Sequence, residues 1–140
     1  MANPTATFKL SDGRLAINVT EDKTLVAADS GIVQNVIADA VTVTLPATVL
    51  GHFYTVRNGG VPKSGGPSGT GDDGSALVKT LPTGTDGFTG AGITAAASKG
   101  LNNTKATAKV GDEFSVIGTG VNSAVGFVVT NIKGTWVRTT

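Results

Sequence analysis

The chain has 140 residues, with 11 basic and 10 acidic side chains, one histidine and no cysteine. A formal charge of +1 supplies no clustered positive field for nucleic acid, and the lack of thiols excludes disulfides and thiolate metal sites. Charged residues are only 15% of the chain, against roughly 25% in an ordinary soluble domain, so the polar surface is built from Thr, Ser, Asn and Gly and suits packing against other protein.

The start, Met1-Ala2-Asn3-Pro4-Thr5, has no basic stretch followed by an apolar one. No secretory signal is therefore expected, and synthesis and initial folding in the cytoplasm are. No apolar run approaches the length of a membrane span. The triplets Asn18-Val19-Thr20 and Asn102-Asn103-Thr104 match the glycosylation pattern and, without a signal, read as chance. Thr5 to Leu10 is β-prone, Ser11-Asp12-Gly13-Arg14 is a turn, and Leu15, Ile17 and Val19 alternate with polar or small residues. Together these predict a hairpin. Glu21 to Thr24 is read as a turn, Leu25 to Ala28 as a short strand, and Ile32 to Ala38 as the next. Val41, Val43 and Leu45 alternate with Thr42 and Thr44, the clearest period-two segment. Pro46 ends it, having no N–H to donate.

Phe53 to Asn58 is a strand closed by Gly59-Gly60. Residues 59–75 are a Gly/Pro/Ser tract with almost nothing to bury, expected to be flexible or ordered by a neighbour. Ala76 to Leu81 resumes strand character, Ile93 to Ser98 suits one helical turn, and Ala106 to Val110 leads to the turn Gly111-Asp112. Phe114 to Ile117, Gly126 to Ile132 and Thr135 to Arg138 complete the pattern. The expected fold is all-β: one domain over 1–140, a compact antiparallel sandwich, barrel or β-roll of about nine to eleven short strands.

The chemistry-bearing residues do not assemble into a site. His52 has no second histidine or cysteine to complete a metal site or a nucleophile–base pair. Gly69-Thr70-Gly71-Asp72-Asp73-Gly74 spells a phosphate loop, but it follows a Pro/Gly/Ser tract, no helix follows, and two aspartates would repel phosphate. It is also a single copy of a glycine–aspartate calcium repeat, which binds through stacked tandem copies. Asp112 and Glu113 are adjacent and would point to opposite faces of a strand, a turn aspartate and a solvated glutamate rather than a catalytic pair. Tyr54, Trp136 and the phenylalanines sit on predicted strands without interleaved basic residues, as core or interface groups. Lys105, Lys109, Lys133 and Arg138 stand singly, as on solvated edges.

Two stretches resemble small tailed-bacteriophage virion proteins of the capsid decoration (cement) or head-fibre type. One is Asp39-Ala40-Val41-Thr42-Val43-Thr44-Leu45-Pro46-Ala47-Thr48 with Gly51 and Phe53-Tyr54-Thr55-Val56-Arg57-Asn58-Gly59-Gly60. The other runs from Asn103 to Gly118 and closes with Gly126 to Trp136. They cover about half of the chain. Gly126-Phe127 stands where sequences of this look often carry tryptophan. The resemblance implies a non-enzymatic, usually homotrimeric virion protein, with no catalytic residues and no cofactor.

The expectation is thus a decoration protein on the capsid surface of a virion, binding the major capsid protein and itself as a homotrimer, with no nucleic-acid or membrane partner. Residues 1–10 are read as an extended arm, in which Ala2, Asn3, Pro4, Thr5, Ala6, Thr7 and Phe8 add as a strand to a capsid subunit. The alternatives are a tail or head fibre or spike segment for host adsorption, and a carbohydrate-binding β module using Tyr54 and Trp136.

Overall fold

The computed structural model describes residues 3–61 and 76–139. Twelve strands form there: β1 (Thr7–Lys9), β2 (Leu15–Val19), β3 (Lys23–Thr24), β4 (Val33–Val36), β5 (Val41–Thr44), β6 (Phe53–Asn58), β7 (Val78–Leu81), β8 (Phe88–Thr89), β9 (Leu101–Asn103), β10 (Glu113–Gly118), β11 (Phe127–Lys133) and β12 (Val137–Arg138). The all-β expectation is borne out. The strands form two sheets, of order β1-β2-β4-β6-β10-β11-β8 and β12-β9-β7-β5-β3.

The pairing is mixed rather than antiparallel. From β2 to β7 the chain passes alternately between the two sheets, and each strand lies parallel to the one laid down a turn earlier. Ala16 sits beside Val33 and Val33 beside Thr55 in one sheet, while Lys23 sits beside Val43 and Val43 beside Thr80 in the other. This half winds as a roll of three turns. The second half closes it with antiparallel strands: β10 covers β6 and β9 covers β7. Only the β1–β2 hairpin and the β10–β11 pair join consecutive strands antiparallel within one sheet.

The core lies between the sheets. Val19, Val36, Tyr54, Val56, Phe114, Val116, Phe127 and Val129 of one sheet meet Val41, Val43, Val78 and Leu101 of the other. The aromatics form a chain of edge-on and tilted contacts: Tyr54–Phe127 at 6.3 Å, Phe127–Phe88 and Phe88–Phe114 at 5.8 Å, and Phe114–Trp136 at 4.7 Å. Each such pair contributes about 1 kcal/mol beyond its buried area.

Several local expectations are corrected. Leu25 to Ala28 is not a strand, because the Asp29 carboxylate accepts the Val26 N–H (2.9 Å) and closes a 3-10 turn over Ala27–Asp29. The strand is the preceding Lys23–Thr24, read as a turn; Lys23 there reaches the buried Gln34 (2.8 Å) and the carboxylate of Asp29 (3.5 Å). Residues 93–98 form no helix, and Ile93 makes one isolated bridge to Gly90. The segment 106–110 runs to the Gly111-Asp112 turn as expected, with the Thr107 and Ala108 N–H groups both on the Thr104 carbonyl. Of the Gly/Pro/Ser tract, residues 62–75 lie outside the described residues, as does the phosphate-loop string 69–74.

Candidate interaction surfaces

The predicted arm folds back onto its own domain. Thr7, Phe8 and Lys9 pair with Ile17, Ala16 and Leu15, making β1 an edge strand of the larger sheet. Asn3 is a second anchor. Its side-chain oxygen accepts the N–H groups of Thr20 (2.7 Å) and Glu21 (3.0 Å), and its amide donates to the Glu21 carbonyl (3.3 Å). Pro4, Thr5 and Ala6 bridge the anchors and are exposed; Ala2 lies outside the described residues. The first segment is thus held on its own domain, and within residues 7–9 the outer edge of β1 is the side left for a further strand.

The outer face of the larger sheet carries ordered polar rows. Asn18, Asn35, Arg57, Glu113 and Lys133 stand side by side on successive strands. Asn35 donates to Asn18 (2.9 Å) and accepts from Arg57 (2.7 Å). The engaged Asn18 amide belongs to one of the glycosylation triplets. In the next row Thr55 and Ser115 share a hydroxyl bond of 2.7 Å. Arg14 reaches across to Glu113 with two bonds of 2.6 and 2.8 Å, which hold the guanidinium protonated well above its ordinary value. The Arg14 backbone N–H, and then its side chain, hold the Asp12 carboxyl below its ordinary value. Glu113 is 7% exposed and Asp112 4%, so the solvated glutamate expected from the sequence is corrected: it is a covered carboxylate paired with an arginine.

Asp112 belongs to a buried network that ties the two sheets. The Asn103 amide donates to Asp112 (3.0 Å) and to the Thr135 carbonyl (3.0 Å), and the Asn58 amide donates to Asn103 (2.7 Å) and the Ala76 carbonyl (2.8 Å). Asp86 is also buried. One carboxylate oxygen accepts the Thr48 N–H at 2.9 Å, and the other has no hydrogen-bond partner among the described residues and packs against Gly126. Both groups fix loops.

An open cleft of ≈ 400 Å³ is lined by Thr20, Glu21, Asp22, Asp39, Ala40 and Val41. Lys105 pairs with Asp39 at 2.8 Å and, ahead of the Leu77 N–H, holds that carboxyl below its ordinary value. Asp22 accepts the Thr42 N–H (2.8 Å). Among the described residues no three His, Asp or Glu side chains converge as metal ligands. His52 lies against Tyr54, its ring 6.4 Å away, and the Tyr54 phenol is pushed up by burial and by the charge of Asp29.

A different surface escaped the sequence reading. At the end of the sandwich opposite Asn3 and the cleft, the loops 46–52 and 118–126 interlock. The Thr48 hydroxyl donates to the Gly126 carbonyl (2.6 Å) and accepts the Gly120 N–H (3.1 Å), while Gly51 N–H bonds Gly118 (3.0 Å). Val49, Leu50, Val121 and Val125 project from these loops, Leu50 with 77% of its surface exposed. The signal in the sequence is the absence of any Asp, Glu, Lys or Arg in either loop, and because the loops are far apart in the chain no local pattern joins them. No family model, no curated protein and no solved structure matches the chain.

Proposed function

We propose that this chain is a structural virion protein: a capsid decoration protein that binds the major capsid protein, sits on the capsid surface as a homotrimer and stabilises the head. The supporting observation is that the two stretches resembling phage virion proteins pack directly on one another. Phe53 to Arg57 of the first pairs strand to strand with Glu113 to Ile117 of the second, so the resemblance falls on one continuous structural unit. A rigid β module of this kind works by contact. Each copy contributes little area, and repetition over a particle multiplies weak contacts through effective concentration.

The carbohydrate-binding alternative loses the aromatics it would use, since Tyr54 and Trp136 are 1% and 7% exposed and lie in the core. The fibre or spike alternative is separated by copy number. Quantitative mass spectrometry of purified particles is expected to give hundreds of copies per virion; a handful would reject decoration in favour of a fibre. Stripping the protein from heads is expected to lower their melting temperature, and an unchanged melting temperature would reject the stabilising role.

A further inference from the structure

We infer that Asn58-Gly59, at the end of β6, is a deamidation site sealed by the fold: the folded chain keeps its carboxamide, and a chain held open loses it and does not return to the native structure. Asn58 is the only asparagine of the chain followed by glycine. In an open chain the main-chain nitrogen of Gly59 attacks the side-chain Cγ of Asn58. The N–Cγ bond closes a five-membered imide, the Cγ–Nδ2 bond breaks, and ammonia leaves with the proton from the Gly59 nitrogen. Water then opens the imide at either carbonyl, giving aspartate or isoaspartate at position 58. Glycine favours the first step, because without a Cβ its backbone bends freely onto the preceding side chain.

The fold blocks each part of this reaction. The Gly59 N–H donates to the Val36 carbonyl at 2.7 Å, so the attacking nitrogen keeps its proton. Asn58 pairs with Val36 in the sheet, and its own N–H and carbonyl are bonded to Asp112 and Gly111 (both 2.7 Å), so the backbone cannot bend onto the side chain. The residue is 0% exposed, away from the water that the second step needs. Its Nδ2 is held by the Ala76 carbonyl (2.8 Å) and Asn103 Oδ1 (2.7 Å), and its side-chain oxygen accepts the Gly60 N–H (2.9 Å). Val36 belongs to one sheet and Asn103 to the other, so exposing Asn58 means opening the sandwich. The same partners reject the product. A carboxylate at position 58 would face two acceptors, the Ala76 carbonyl and Asn103 Oδ1. Asn103 cannot turn its amide round without losing its bonds to Asp112 and Thr135 (both 3.0 Å). A buried charge left without a partner disfavours the fold. Isoaspartate adds a methylene to the main chain of β6 and displaces Gly59, where even an added Cβ would sit 2.6 Å from the Asn35 side chain. Chemical change in the open chain thus makes a reversible unfolding permanent.

The inference goes beyond the contact role and does not depend on which particle carries the chain. Its test ages the full chain in alkaline buffer with and without denaturing urea, then returns samples to native buffer. Peptide mass spectrometry reads the amide-to-acid change at each asparagine, and Trp136 fluorescence reads refolding. Change at Asn58 is expected to be at least about a hundredfold slower in the folded chain, where only the rare open molecules react. Asn122, followed by serine in an exposed loop, is expected to change at similar rates in both. The refolding yield is expected to fall in step with the change at Asn58, and the molecules that refold are expected to retain their carboxamide. Urea at mildly acid pH, where the Gly59 nitrogen keeps its proton, is expected to preserve the yield over the same time. A native chain in which Asn58 changes as fast as in urea would overturn the inference. So would aged molecules that carry acid at position 58 and refold fully, or a yield that falls equally at acid pH with Asn58 intact. Asn58→Asp, made directly, is expected to lack the native tryptophan emission, and a native emission from that variant would overturn the claim that the fold rejects the product.

Discussion

Glu113 and Arg14 show how unequal exposure decides what a pair contributes. The arginine side chain is 39% exposed and the glutamate 9%, so water screens one partner far more than the other. Removing the glutamate frees an arginine that can rehydrate, whereas removing the arginine strands a covered carboxylate beside its remaining neighbours. We expect Arg14→Ala to cost about 2 kcal/mol, the penalty of an unsatisfied buried charge, and the double variant Arg14→Ala with Glu113→Gln to cost less than the sum of the two single changes. Urea midpoints measure both; a cost within about 0.5 kcal/mol for the first, as for an ordinary surface change, would show that Glu113 is satisfied without it. Tyr54 gives a pH signature at the same scale. Burial, with the Asp29 charge adding to it, raises its phenol above the ordinary value. A group whose folded value is raised contributes stability that is complete below its unfolded value and is lost as pH rises through the folded one. The wild type is thus expected to lose stability above about pH 10, and Tyr54→Phe to lose less over the same interval. Parallel pH profiles of the melting temperature for the two proteins would contradict this.

At the scale of elements, the hairpin, the Val41–Thr44 strand and its stop at Pro46 were legible because each is set by neighbours in sequence: alternation, a turn glycine and a missing N–H. The winding of β2 to β7 was not. A parallel neighbour is a strand from an earlier turn of the chain, and period two marks the face of a strand without naming its partner. The two-residue strands β3 and β8 lie below the length at which alternation is visible. Glu113 was misread for a related reason: its cover comes from Arg14, 99 positions away, and no local pattern reports that. The same limit hid the apolar end, whose halves are separate loops. Close approaches between elements are equally silent in sequence and make sharp tests. Gly100 packs so tightly on β7 that an added Cβ would sit 1.7 Å from the Thr80 carbonyl oxygen, whereas at Gly13 an added Cβ meets nothing and only its φ of +90° resists. Gly100→Ala is expected to prevent stable folding, and Gly13→Ala to cost about 1 kcal/mol, both read from thermal melts. Comparable melts for the two would show that β7 and β9 yield. Asn3→Ala removes the anchor of the first segment and is expected to expose the Thr20 and Glu21 amides to fast hydrogen exchange while the β1–β2 pairing persists; protected amides would assign that anchoring to another group.

At the scale of the whole molecule, the roll of β2 to β7 and the antiparallel strands that follow depend on one another. The roll leaves an open edge on β6 and another on β7, and these are the edges that β10 and β9 cover. It also lacks most of the aromatic core: Phe88, Phe114, Phe127 and Trp136 all come from the second half, and Tyr54 alone from the first. The second half has the converse defect, since β9, β10 and β12 have no sheet to join without β6 and β7. Neither half can bury its apolar face or satisfy its backbone alone, so the domain should unfold in a single step. Trp136 makes this measurable. It is the only tryptophan, is 7% exposed, packs on Phe114 and donates its indole N–H to the Lys133 carbonyl at 3.0 Å. Its fluorescence reports the second half, whereas far-ultraviolet circular dichroism reports strands throughout. The two signals are expected to coincide in a urea titration, and a chain ending at Gly87 is expected to show no strand signal. If strand signal outlasts the tryptophan transition, or the shortened chain folds, the roll is an independent unit and the second half is an addition to it. Coincidence would mean that both ends of the sandwich, the one that anchors Asn3 and the one formed by the loops 46–52 and 118–126, are held by the same core, so that a core change such as Phe114→Ala loosens both ends together.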